Sequence, residues 1–343
     1  MKKHLNTLFV TTQGSYLHKE GETVVVKVED AVKLTVPIHT IGGIVCFGQI
    51  SMSPYLMAFC AESEVAVTFL TETGNFLAKV QGFVSGNVLL RREHYRRADD
   101  NESCIQITKA ILTAKFVNTR IVLQRALRDH GEKINENEIK KAVGRITYSL
   151  KRLDMPLGLD ELRGLEGDTA HSYFQVFDHL IVVQKEDFMF HERSRRPPLD
   201  NVNCLLSFIY TLLMHDVRSA LEGVGLDSAV GFLHRDRPGR PGLALDIMEE
   251  LRPYLADRLV FSLINLGQVN KQGFQKQQSG AVLMDDDTRK TVLVAYQSRK
   301  QEEIVHPYLN EKITIGLLPY IQALLLARYL RGDIDGYPPF ICK

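Results

Sequence analysis

With 343 residues, 45% of them hydrophobic and 24% charged, the chain is long enough for two domains with cores of their own and has an ordinary globular composition. A formal net charge of +1 argues against a uniformly basic nucleic-acid binder, so such a partner has to be held by local patches. The five scattered cysteines (Cys46, Cys60, Cys104, Cys204 and Cys342) form no Cys-x-x-Cys pair, which argues against a zinc knuckle or disulfide framework and fits a reducing cytoplasm.

The opening Met1-Lys2-Lys3-His4 is positively charged, but Thr11, Thr12 and Gln13 break the apolar run that a secretory signal needs. Residues 1–83 then read as a β-rich domain. Leu8–Val10 leads into Ser15–Leu17, a hairpin turn at Lys19–Glu22 and the β-branched run Thr23–Val28. Val32–Ile38 alternates, and Ile44–Phe47 is a further apolar strand. Ser53-Pro54 opens a short helix through Cys60, because proline is tolerated in a first helical turn. Val65–Leu70 and Phe76–Val80 complete the domain.

Val84–Asn87 is rich in turn residues and starts a linker over 84–100. Residues 101–343 read as a larger, all-helical domain, with helices over 105–128, 136–153, 159–183, 200–221, 243–259 and 316–330 punctuated by Pro156, Pro197-Pro198, Pro238 and Pro241. The longest apolar run, near Leu205–Met214, is interrupted and too short to span a bilayer, so a cytoplasmic protein is expected. Strands first and helices after predict an α+β protein.

Four residues stand out chemically. Glu166 falls inside the helical stripe Leu162, Ala170, Tyr173, Phe174 and Phe177, where an ionised carboxylate is costly without a compensating charge. The plain alternative is an ion pair with an arginine such as Arg163. His234 follows Gly231-Phe232-Leu233 and ends an expected helix or strand; alone, it reads equally well as a core or capping histidine. Asp246 and Glu249, three apart, share one helix surface, where acids near a helix N-terminus also favour its dipole. Glutamate, histidine and another carboxylate from separate elements suit a divalent metal acting on phosphate. Magnesium and manganese both take oxygen ligands, and manganese accepts imidazole more readily.

The loop after His234 carries Arg235, Arg237 and Arg240 between prolines and glycines, a composition that suits backbone phosphates as well as a solvated turn. Further basic runs lie at Arg91–Arg97 and at Arg193, Arg195 and Arg196, and together they suit a surface that tracks a nucleic-acid backbone. There is no Walker loop, GxSxG, HExxH or Rossmann glycine pattern, which points to hydrolysis or transesterification without a nucleotide cofactor.

Four blocks then carry a resemblance: Leu162–Gly167 with Ala170 and Tyr173-Phe174, Arg196–Asn203 with Leu206-Ser207 and Tyr210, Ala229–His234, and Leu243–Pro253. They resemble the CRISPR-associated integrase and endonuclease family Cas-one, over essentially the whole chain. The opening Asn6–Thr11 and the closing Gly336–Phe340 look most like its type I-C branch. The resemblance implies a dimerising β domain and a helical catalytic domain. It implies metal ligands at Glu166, His234 and Glu249, with Asp246 as a supporting catalytic acid and Mg²⁺ or Mn²⁺ as the ion. It implies double-stranded DNA, a second copy of the chain, a small ferredoxin-like Cas-two protein and sometimes a Cas-four nuclease as partners. The expected reaction is attack of a DNA 3′-hydroxyl on a phosphodiester of the repeat array. Arg235, Arg237, Arg240 and Arg196 are the expected DNA contacts. A histidine ligates only when neutral, so activity should fall at acidic pH. Two competing readings are a DNA-binding scaffold without catalysis and a di-iron helical protein, the second lacking clear paired Glu-x-x-His motifs.

Overall fold

The computed structural model describes residues 6–72, 76–80, 82 and 87–342. The chain divides into two compact units, residues 1–86 with 300–302, and residues 87–299 with 303–343. Met1–His4 and the expected turn at Val84-Ser85-Gly86 lie outside the described residues.

The first unit is a β structure. Its elements are β1 (Asn6–Val10), β2 (Tyr16–Glu20), β3 (Thr23–Val28), β4 (Ala31–Pro37), β5 (Ile41–Phe47), β6 (Ser51–Met52), α1 (Pro54–Glu62), β7 (Ala66–Leu70) and β8 (Phe76–Val80). Two four-stranded sheets form, in the orders β1-β5-β7-β8 and β4-β3-β2-β6. The β2–β3 hairpin pairs Glu20 with Thr23, and Gly21 takes the positive φ of 54° that the tight turn requires. Val24, Val25 and Val26 of β3 are all buried, as a β-branched run in a covered strand should be. The Ser53 hydroxyl accepts a hydrogen bond from the Leu56 amide and caps α1, while Pro54 sits where no amide donor is needed. Leu17, Ile44, Leu56 and Cys60, all fully buried, centre the core.

The second unit contains α2 (Val88–Asp99), α3 (Asn101–His130), α4 (Glu136–Leu153), α5 (Leu159–Gln175), α6 (Asn201–Gly223), α7 (Gly242–Leu251), α8 (Arg258–Asn265), all but the last two residues of α9 (Asp286–Gln301), and α10 (Leu318–Leu330). Two short antiparallel pairs, β9 (Phe274–Lys276) with β10 (Val282–Met284) and β11 (Glu303–Val305) with β12 (Lys312–Thr314), interrupt what the sequence predicts as purely helical. The linker expected over 84–100 is mostly helix: α2 buries Leu90 and His94, and His94 Nε2 lies 3.0 Å from the Val230 carbonyl. The helix expected to reach Val183 stops at Gln175, followed by a tight turn over Phe177–Leu180 that seats Phe177 against Phe190 and Phe261. The helix expected over 243–259 is broken by a π-helical stretch, Arg252–Asp257, beside Pro253, which has no amide hydrogen to donate. Helix α6 is 23 residues long with a window of mean hydropathy 1.2, so one helix among the described residues is long and apolar enough to cross a membrane, contrary to the sequence expectation. Most of that window, 61%, is buried against the rest of the protein.

Candidate metal centre

Three helices of the second unit converge on one cation. Helix α3 is long and carries Ile107, Ile111, Lys115 and Asn118 along its buried face. Lys115 is about as buried as its apolar neighbours, at 9% exposure. Its ammonium hydrogen-bonds Glu166 Oε1 on α5 and lies 2.6 Å from Glu249 Oε2 on α7. The other Glu249 oxygen accepts from the Arg252 guanidinium. Burial alone would raise the Glu249 carboxyl, but Arg252, Lys115 and His234 together hold it well below the usual carboxylate range. Burial likewise opposes the charge on Lys115, and the two carboxylates more than offset it, so its ammonium is held more firmly than usual. Glu166, half-buried, has Lys115 as its partner; Arg163 instead bonds Asp160 and the Leu233 carbonyl.

His234 sits in an irregular loop between α6 and α7, at no helix or strand end. Asp246, fully buried on α7, organises that loop. Its carboxylate accepts from the amides of Phe232 (2.6 Å), Leu233 (3.0 Å) and His234 (3.0 Å), and His234 Nδ1 lies 2.6 Å from Asp246 Oδ1. With the carboxylate ionised, Nδ1 carries the proton, and the Nε2 lone pair is left to ligate. The close approach needs glycine twice. A Cβ on Gly231 would stand 2.9 Å from Asp246 Oδ2, and one on Gly242 would stand 2.6 Å from the Ala229 carbonyl oxygen.

Behind Glu249 runs a second polar layer. Arg252 lies over the Tyr210 ring at 5.1 Å and Arg193 over the same ring at 5.4 Å. The Tyr210 hydroxyl donates to Asp257 Oδ1 at 2.6 Å, and the Tyr173 hydroxyl to Oδ2 at 3.1 Å. Burial pushes the Asp257 carboxyl up to about 6 against these hydrogen bonds.

The family model for CRISPR associated protein Cas1 matches residues 8–298. The chain belongs to the Cas1 family. Among curated Cas1 proteins, "CRISPR-associated endonuclease Cas1 1" of Chlorobaculum tepidum is 56% identical over all of both chains. "CRISPR-associated endonuclease Cas1 2" of Rhodospirillum rubrum is 51% identical, also over all of both. A Cas4 exonuclease/Cas1 endonuclease fusion of Geobacter sulfurreducens is 33% identical over 98% of this chain and 60% of the fusion. Two solved structures share the fold: a CAS1 protein from Thermotoga maritima (TM-score 0.81, 22% identity, 98% of this chain and all of that one) and a casposase bound to integration product (TM-score 0.83, 22% identity, 97% and 93%). The strand-rich region followed by a helical domain is thus the Cas1 architecture.

Within this Cas1 fold, the structure brings Glu166 and Glu249 onto one cation and ties His234 to Asp246. As the side chains stand, no group of three or more His, Cys, Asp or Glu among the described residues is arranged to hold a metal. The Lys115 ammonium stands between the two carboxylates. The donor set nevertheless fits a divalent ion. Glu249 Oε2 is buried and faces only the Lys115 ammonium, 2.6 Å away, so the oxygen is already in the company of a positive charge, as a metal-ligating carboxylate oxygen is. Arg235 pairs with Asp160 at 2.6 Å; Arg237 is exposed and Arg240 half-buried on the same loop, while Arg196 is exposed on a separate segment before α6. Lys115 and Asp257 escaped the reading of the sequence, while Arg252 and Tyr210 entered it only as members of the resemblance blocks, with no role given. Lys115 carries the signal that exposed Glu166, a charge inside an apolar helical stripe.

Proposed function

We propose that this Cas1-family chain is a metal-dependent DNA endonuclease and integrase that inserts short DNA fragments into a CRISPR repeat array. The observation that carries the reading is the pair of carboxylates from separate helices sharing one cation beside an imidazole oriented by a buried aspartate. The endonuclease names of relatives more than 50% identical over their full length support it. Glu166, Glu249 and His234 would hold Mg²⁺ or Mn²⁺, which supplies charge neutralisation at a scissile phosphate and eases deprotonation of the attacking hydroxyl. Arg252 holds one oxygen of Glu249 and so aims the other into the site. Asp246 fixes the histidine tautomer and the loop that carries it. One phosphodiester replaces another, so no external energy source enters. The basic loop Arg235, Arg237 and Arg240, with Arg196, would contact DNA phosphates.

The helical unit carries this chemistry, and the β unit serves dimerisation. Cas2 and Cas4 proteins are the expected partners, the second supported by the Cas4/Cas1 fusion among the relatives. The residues at both ends of the chain favour the type I-C branch. The test is integration of a labelled short duplex into a supercoiled repeat plasmid with Mn²⁺. His234→Ala should lower strand transfer at least about a hundredfold while duplex binding persists. Retained transfer in that variant would leave a DNA-binding scaffold as the function.

A further inference from the structure

The charge between Glu166 and Glu249 belongs to the chain itself, and this inference rests on the metal reading of the same site. Glu249 offers two oxygens. Arg252 holds Oε1, so Oε2 is the one left for a metal, and the Lys115 ammonium stands 2.6 Å from it. The same ammonium hydrogen-bonds Glu166 Oε1. An ion ligated by both carboxylates would therefore meet a positive charge at van der Waals distance or closer, in a buried site where repulsion is poorly screened. Without any cation there, two carboxylates would face each other with only Arg252 beside them.

We propose that Lys115 is a resident counter-cation: it occupies the divalent ion's place between Glu166 and Glu249 and swings out when the ion binds, so metal affinity is set by competition within the chain. The backbone at Lys115 is held. Its carbonyl accepts from the Thr119 hydroxyl, and Asn118 fixes the neighbouring turn of α3 to the Glu250 and Phe340 carbonyls, each at 2.8 Å. Movement is left to the four-carbon side chain, whose compact ammonium can leave without unstacking a planar group. On leaving, the ammonium gives up its hydrogen bond to Glu166 and its 2.6 Å contact to Glu249 Oε2, the two carboxylate contacts that an incoming divalent ion would replace. A fixed structural ion pair would keep the ammonium in place whether or not metal is present.

The two differ by linkage. A ligand that has to expel an internal competitor binds more weakly than one that enters a vacated site, and it restores more stability to a protein that lacks the competitor. The test uses the full chain stripped of metal: calorimetric titration with Mn²⁺, and thermal unfolding in chelator and at saturating Mn²⁺. Lys115→Met should bind Mn²⁺ at least about tenfold more tightly than the natural chain. It should melt below the natural chain in chelator and match it at saturating Mn²⁺. If Lys115→Met does not fold without metal, Lys115→Gln, which loses the charge and keeps a polar end, is measured in the same way. Equal or weaker Mn²⁺ affinity in the variant, or a melting deficit that saturating Mn²⁺ leaves unchanged, overturns the proposal and leaves the metal reading standing. Failure of the natural chain and the variants alike to bind Mn²⁺ overturns the metal reading itself.

Discussion

Asp246 is fully buried, and four donors use its two oxygens: three successive amides and the His234 ring. That occupancy separates it from Glu249 three residues on, whose two oxygens face only the side-chain cations Arg252 and Lys115. One acid orients, and the other is open to ligate. Replacing Asp246 by asparagine should therefore act on folding as well as on chemistry. The amide has one accepting oxygen and turns an NH₂ toward amide donors, so stability should fall by about 2–4 kcal/mol in urea unfolding. A loss under about 1 kcal/mol would mean that the loop holds itself without this carboxylate. At this scale the sequence was partly legible. Glu166 was found as a charge in an apolar row. Lys115 obeys the same rule on α3 but reads there as one polar position in a long amphipathic helix. The role of Arg252, and Asp257 altogether, were hidden by geometry, because the π-helical stretch shifts which residues share a face, and counting by 3.6 fails across it.

Helix α7 and the loop before it form the unit that sets the site. The loop reaches α7 only because Gly231 and Gly242 let two backbones meet: a Cβ on Gly242 would stand 2.6 Å from the Ala229 carbonyl oxygen and 3.0 Å from the Gly231 amide nitrogen. Both obstacles are backbone and cannot rotate away. Gly242→Ala should cost about 1–3 kcal/mol in thermal or urea unfolding. Gly239, on the same loop with φ 73° and open space around its Cβ direction, is the control; alanine there meets only backbone strain of about 1–2 kcal/mol. Metal affinity should drop in the Gly242 variant and hold in the Gly239 variant, as titration with Mn²⁺ would show. An equal drop in both would detach the glycine contact from the site. The helices themselves were readable: Glu136–Leu153 has the predicted ends, with acids in its first turn and basic residues in its last. The loop was not readable in that way. Phe232 and Leu233 look like the end of a regular element, yet their amides bond a side chain twelve or more residues away.

Each of the two units has a buried core, and the helical unit also buries its own C-terminal segment. Tyr337 and Phe340 reach Glu250, where the Tyr337 hydroxyl lies 2.6 Å from Oε1 and the Phe340 amide donates to Oε2 at 2.7 Å. Burial pushes the Glu250 carboxyl from 4.5 up to about 8. In the unfolded chain the group ionises at its ordinary value, so the folded state binds the extra proton between these limits. Stability from this group is fully present below pH 4.5 and is lost as pH rises toward 8. Glu250→Gln should flatten that decline, and the gap between variant and natural chain, by urea unfolding at pH 5 and pH 8, should widen in the variant's favour by a few kcal/mol. A gap that does not change with pH would mean that Glu250 is charged in the fold. The chain's α+β order was legible because strand and helix periods differ. The convergence of α3, α5 and α7 was not, because nothing local in Lys115, Glu166 or Glu249 records which helices pack together. That convergence is most directly tested by anomalous diffraction at the manganese edge from crystals of the full chain soaked in Mn²⁺. The prediction is a single strong peak within about 2–2.5 Å of a Glu166 oxygen, Glu249 Oε2 and His234 Nε2, with the Lys115 ammonium displaced. A peak elsewhere, or none while the ammonium still bridges the two carboxylates, would contradict it.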